Sequence, residues 1–245
     1  MICINDKYSM SQEKNIFLAK RLLVDVVYKS ANLEGIAVTY ANTVDILNDV
    51  GVEKLKPSEI SKVFCLRDAW HYVLDNINTD VNLGFLQSVH EIVARYDVSY
   101  NELGKLRSSD DILVSGTLWR PDIPNAEKLH FELQELLKIP VVTDRAISVM
   151  LWIMRSQMFA DGNKRVASMA GNKILIQNGK GILSVPVELD GTFKTMLVKY
   201  YETNDMRSLK EWIYENCIDG VNSEVKDQVI TEETENEEGQ ESEIQ

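Results

Sequence analysis

The sequence predicts a mainly α-helical bundle with one small β-hairpin flap. Three observations carry that prediction. Apolar residues recur at spacings of three and four along most of the chain, as one buried face of a helix requires. Helix-starting and helix-stopping residues bracket those stretches. Only one long segment, 111–124, instead mixes β-forming residues with Gly and Pro. At 245 residues, with 44% hydrophobic and 26% charged residues, the chain can bury a full core as one domain with appendages.

Taken in order, residues 1–24 read as an N-terminal helical extension. Thr39 can cap a short helix carrying Val44, Ile46 and Leu47. Ser58, after Pro57, is the expected N-cap of a longer one, whose apolar set is Ile60, Val63, Phe64, Trp70, Val73, Leu74 and Ile77. Leu83, Leu86, Val89, His90 and Val93 repeat the pattern. The stretch 146–154 is apolar nearly all round and therefore predicts a buried central helix. A second core helix follows from Arg165 to Ile176 and is stopped by Asn178-Gly179. Residues 193–201 and 209–216 close the bundle.

Charge and cysteine usage exclude several function classes. The formal charge is −12, but residues 221–245 carry nine Asp or Glu against one Lys, leaving only −4 for the rest. The segment 218–245 is therefore expected to be an acidic, disordered tail. No basic stripe is available for a nucleic-acid backbone, and no apolar run has the length of a membrane span. Three scattered cysteines suggest neither a disulfide framework nor a metal site. With no basic-then-apolar order at Met1–Lys7, a cytoplasmic location is expected. His71, His90 and His130 show no metal-ligand spacing and read as surface or satisfied core residues.

The most informative stretch is Phe159-Ala160-Asp161-Gly162-Asn163-Lys164-Arg165. Asp-Gly-Asn is a turn signal, because Gly tolerates positive φ and Asp or Asn can bond their own backbone. A turn feeding a helix start points free N–H groups at one spot, and the helix dipole adds positive potential there. Such a place binds phosphates. Gly162, Asn163, Lys164 and Arg165 are the expected phosphate-binding residues, and Asp161 is the natural oxygen ligand for a Mg²⁺ riding on the phosphates.

This string resembles the signature of Fic-domain proteins, H-x-F-x-[DE]-G-N-[GK]-R. A second string, Ser30-Ala-Asn-Leu-Glu34-Gly35, is similar to the inhibitory motif [ST]-x-x-x-E-[GN] of the subgroup with an N-terminal inhibitory helix. The resemblance spans about residues 25–217, with the inhibitory helix near 25–35 and the signature loop at 157–168. It implies AMP transfer from ATP, with Mg²⁺, onto a Ser, Thr or Tyr hydroxyl of a target protein. It also implies that Glu34 reaches into the nucleotide site and pairs with an Arg of the signature, and that Gly116 and Arg120 belong to a flap that clamps the target. The resemblance leaves the oligomeric state open, a homo-oligomer included.

Three departures bear on the chemistry. Gln157 stands where the family has its catalytic His, and an amide has no basic lone pair to take a proton. Ser168 stands where many members have a second Arg, which takes away a usual partner of Glu34. Lys164 occupies a position that is Gly in much of the family and Lys in Doc-like members, one of them a kinase. Reduced AMP transfer, a nucleotide-binding pseudoenzyme and a Doc-like kinase or toxin module are the readings that follow.

Overall fold

The computed structural model describes residues 4–53 and 55–221. The first five helices are α1 (Gln12–Arg21), α2 (Leu23–Leu33), α3 (Tyr40–Leu47), α4 (Pro57–Asp75) and α5 (Leu83–Val93). They are followed by α6 (Ala126–Leu137), α7 (Val142–Ser156), α8 (Asn163–Gln177), α9 (Asp190–Thr203) and α10 (Arg207–Asn216). Two short strands, β1 (Ile182–Leu183) and β2 (Ile218–Asp219), pair antiparallel, Ile182 opposite Asp219 and Leu183 opposite Ile218. The fold is mainly helical with a small two-stranded sheet.

Helices α7 and α8 form the centre. Ile147, Met150, Leu151 and Ile153 of α7 and Val166, Ala170, Leu175 and Ile176 of α8 are fully buried. Gly171 lets the two backbones approach: a Cβ there would lie 3.3 Å from the Met150 Cβ and 3.4 Å from the Ala146 carbonyl oxygen. Two orphan donors at the start of α7 are satisfied from outside the helix, since the Thr143 N–H and hydroxyl both donate to Asp6. Lys173, wholly buried on α8, donates to the Asn76 and Ile77 carbonyls and so closes the end of α4. Burial lowers its pKa to about 8.

Four expectations are corrected. Helix α4 starts at Pro57 rather than after a Ser58 cap, because Pro lacks only an N–H that has no partner at that position, and the Glu59 carboxylate accepts the Lys56 N–H. Helix α8 starts at Asn163, two residues early, since Gly162 at φ 79° turns the chain directly into it. The stretch before residue 24 is helical but built into the core: the buried Asn15 side chain pairs with both backbone groups of Gly181, and Trp70 donates to the Ala19 carbonyl. At the other end, Ile218 is buried and paired in β2, so the chain remains part of the fold past 218. Residues 222–245 of the expected acidic tail lie outside the described residues.

The expected β-hairpin at 111–124 is not one. No strand occurs in that segment, and its one internal backbone bond runs from the Thr117 N–H to the Val114 carbonyl at 3.4 Å. Pro121 and Pro124 lack a donor for a ladder, and Gly116 sits at φ 83°, which bends the strip. The small sheet belongs to β1 and β2 instead. Among the described residues, no helix is long and apolar enough to cross a membrane.

Candidate nucleotide site

The connection between α7 and α8 is held from several sides. Gln157 ends α7 in the left-handed region at φ 44°, and its side-chain amide donates back to the Met154 carbonyl at 2.6 Å. The buried Asn163 side chain bridges the loop, accepting the Phe159 N–H at 3.0 Å and donating to the Phe159 carbonyl at 2.8 Å. Phe159 itself is fully buried and stacks on His90 with ring centroids 4.1 Å apart.

His90 fastens the loop from behind. The Gly104 N–H donates to its Nδ1, so Nε2 carries the proton and donates to the Asp161 carbonyl at 3.1 Å. Both ring nitrogens are used, and burial pulls the pKa down to about 4. Gly162 is required next to it. At φ 79° a side chain is strained, while a Cβ would meet Ala94 only at ordinary contact distance, 3.4 Å.

Helix α8 has no side-chain cap. The N–H groups of Asn163, Lys164 and Arg165 thus sit in its first turn without an intrahelical acceptor, and the first intrahelical-type bond runs from Val166 to Gly162. Unpaired donors of this kind at a helix start are what the sequence reading expected of an anion site. The Gly162 N–H is taken by the Asp161 carboxylate.

The charges are distributed differently from the expectation. Arg165, only 7% exposed, is not a free phosphate clamp: it donates to the Val93 carbonyl, to Asp97 and to Asp161, and its Nε lies 3.2 Å from Glu34. Asp97 is shared with Lys62 of α4. Lys62 and Arg165 together hold the Asp97 pKa below the carboxylate range, although burial pushes the other way. Lys164, at 30% exposure, lines the cleft beside Glu34, and Lys194, paired with Asp190, lines it from α9. The Asn163 side chain is likewise spent on the loop, so its contribution to phosphates reduces to its backbone N–H.

Glu34 caps the C-terminal end of α2, and Gly35 at φ 81° ends the helix. The Glu34 N–H donates to the Ser30 carbonyl at 3.2 Å, a backbone bond that does not use the Ser30 side chain. A carboxylate is disfavoured at a helix C-terminus. It is compensated here by Lys164 at 3.4 Å and Arg165 at 3.2 Å on the first turn of α8. With Ser168 in place of a second Arg, Glu34 has therefore found two other partners. The contacts are Coulombic rather than well-aligned: Glu34 Oε1 and Arg165 Nε are both buried without a hydrogen bond of good geometry.

One cleft of about 840 Å³ gathers Glu34, Gly35, Gly116, Gln157, Asp161, Gly162, Asn163 and Lys164. Leu33, Leu197, Val198 and Tyr201 give it an apolar wall. Arg120, expected in the same place, lines a separate hollow with Asp110 and Asp111 and donates to the Ile112 carbonyl at 3.0 Å. It braces the flap and does not face the loop, because the flap is a bent loop and not a flat hairpin. His90, Asp97, Lys62 and Tyr201 were missed as site residues. They lie far from the loop in sequence, and only the lone His on an apolar face gave any signal.

Asp161 fits a magnesium ion of the kind that keeps several waters and the phosphates of its nucleotide. Its side chain is 56% exposed, and no cluster of three acidic, His or Cys groups able to hold a metal occurs among the described residues. Among the described residues, no histidine lines the cleft. Burial raises the Tyr201 pKa well above the usual tyrosine range, so its hydroxyl stays protonated at neutral pH.

Comparison with known proteins agrees with this geometry. Residues 80–175 match the model of the Fic/DOC family. No curated protein sequence matches the chain. Among solved structures it is similar to Fic-1 (residues 134–508) from C. elegans at 16% identity and TM-score 0.67, over 84% of this chain and 69% of that one. A Fic domain containing signaling protein from Bacteroides thetaiotaomicron is similar at 14% identity and TM-score 0.67, over 83% and 87% of the two chains. A Fic family protein from Desulfovibrio desulfuricans is similar at 18% and 0.64, over 85% and 66%. At these identities the likeness concerns the fold. Residues 80–175 thus match the Fic/DOC family, within a chain whose helical fold is shared with Fic proteins of known structure.

Proposed function

We propose that this protein binds a nucleoside triphosphate through the first turn of α8, that Glu34 holds the site in a self-inhibited state, and that it transfers AMP to a protein hydroxyl only weakly. The observation that carries the reading is Glu34 itself. Its carboxylate occupies the side of the α8 start where a phosphate would be drawn, and answers the two cations that phosphate would use. A displaced Glu34 returns Lys164, part of Arg165 and the free amides of 163–165 to an anion. Asp161 would hold the magnesium, which supplies charge neutralisation on the phosphates.

In AMP transfer, the target hydroxyl oxygen attacks the α-phosphorus, the bond to pyrophosphate breaks, and pyrophosphate leaves. The hydroxyl proton needs an acceptor. Gln157 offers an amide whose Nε2 already donates to Met154 and whose Oε1 faces Asn163 at 3.3 Å. Loss of a general base costs roughly 10²–10⁴-fold, while positioning and charge stabilisation still contribute. Weak transfer follows.

Lys164 favours a second reading, a Doc-like transfer of the γ-phosphoryl group. One experiment separates the outcomes: incubation of the wild type, Glu34→Gly, Gln157→His and the double variant carrying both with α-labelled and γ-labelled ATP in a cell lysate. Protein label from the α-position in Glu34→Gly, strengthened in the double variant, is the expected result. Label from γ alone would replace AMP transfer with a kinase, and no label in any variant would leave a nucleotide-binding pseudoenzyme.

A further inference from the structure

Arg107 is a buried cation without a carboxylate partner in hydrogen-bond reach among the described residues. It is 7% exposed, and its guanidinium donates only to backbone carbonyls. Nε donates to the Gln157 carbonyl and Nη1 to that of Ser109, both at 2.6 Å, while Nη2 donates to those of Pro121 and Asp122. Its own backbone N–H donates to the Met158 carbonyl at 3.0 Å. One side chain thus joins three pieces of chain: the left-handed residue that opens the nucleotide loop, the entry to the flap, and its exit. Burial lowers the Arg107 pKa, with Asp110 and Asp122 opposing.

The placement matters because the flap has almost no backbone pairing of its own. Between its two roots, the shape depends on side chains: Arg120 to the Ile112 carbonyl, and Thr117 to Glu202 of α9 at 3.0 Å. Ile112 to Gly116 nevertheless form one wall of the cleft. At the neck, Arg107 is the direct link between that wall and the loop carrying the free amides. Only a planar fork of five donors can serve four carbonyls in different directions, and Lys at this place has a single point of attachment.

We propose that Arg107 is a positioning residue that couples the flap to the nucleotide loop, so that the order of the flap and the geometry of residues 157–163 change together. The consequence for nucleotide affinity rests on the function proposed above; the mechanical coupling does not.

The test is hydrogen–deuterium exchange on the full chain, with and without Mg·ATP, for the wild type, Arg107→Gln, Arg107→Lys and Arg120→Gln. Without nucleotide, Arg107→Gln is expected to speed exchange about tenfold or more in both 109–122 and 157–163, with α4 and α10 unchanged. Arg120→Gln should speed exchange in the flap alone, and Arg107→Lys should fall between wild type and Gln. Acceleration confined to the flap, a uniform rise across the protein, or no change in Arg107→Gln would each overturn the coupling. Should Arg107→Gln fail to fold, the Lys variant carries the same comparison on its own. Absence of Mg·ATP protection at 157–165 in the wild type would count against the nucleotide reading and leave the coupling to the nucleotide-free arm.

Discussion

The nucleotide loop at 157–165 and the flap at 109–122 face each other across one cleft, yet they are held by opposite means. The loop is anchored by buried groups: Phe159 in the core, Asn163 bridging its backbone, and His90 bonded to Asp161 from behind. The flap is held by side chains at its neck and tip and by Val114 and Trp119 packed on the core, the latter stacked on Tyr201, while Leu113 and Leu118 stay mostly exposed. A loop fixed by buried groups thus opposes a wall with little backbone pairing of its own. Under the proposed function, chemistry that needs fixed donors falls to the loop, and contact with a target would fall to the flap.

The largest expected effect breaks the loop at its anchor. Phe159→Ala leaves a cavity between α7, α8 and His90 and should cost about 3–5 kcal/mol, measured by denaturant unfolding. A cost near zero would mean that the loop is not fixed through the core.

His90 sharpens the same point through pH. Its pKa is about 4 in the folded chain against 6.5 for an ordinary histidine, so the unfolded state binds more protons between those values. Stability should therefore fall as pH drops from about 6.5 to 4, by on the order of 3 kcal/mol in full. In His90→Gln, which keeps a donor for the Asp161 carbonyl, that part of the slope should vanish. An unchanged slope would contradict a buried, neutral His90.

A smaller loss is expected from Gly162→Ala, because Ala is strained at φ 79°. About 1 kcal/mol is the scale, accompanied by weaker nucleotide binding as the first turn of α8 shifts. The flap should give the smallest response. Thr117→Val removes the bond to Glu202 and should change stability by no more than about 0.5 kcal/mol, the range of surface substitutions. A flap substitution as costly as Phe159→Ala would abolish the contrast between the two regions.

The same contrast explains what the sequence made legible. Helices α4 and α5 were readable because their apolar residues repeat at helical spacing, α7 because it is apolar nearly all round, and α8 because Asp-Gly-Asn opens it and Asn178-Gly179 stops it. Glu34 and Gly35 were readable as a helix end. The flap was misread as a hairpin because β-forming residues register there, while the missing donors of Pro121 and Pro124 and the bend at Gly116 act only in three dimensions. Arg165 seemed a free phosphate ligand because nothing local shows that Asp97 and Glu34 converge on it from two other parts of the chain, with Lys62 sharing Asp97.

The account stands on the start of α8 being an anion site that Glu34 keeps closed. Calorimetric titration of the wild type and of Glu34→Gly with Mg·ATP tests this most directly. The expected result is binding to both, about tenfold or more tighter in the variant, since removal of one carboxylate frees Lys164 and the Nε side of Arg165. Equal affinities would contradict the guarding role of Glu34, and no heat from either protein at millimolar nucleotide would contradict the site itself.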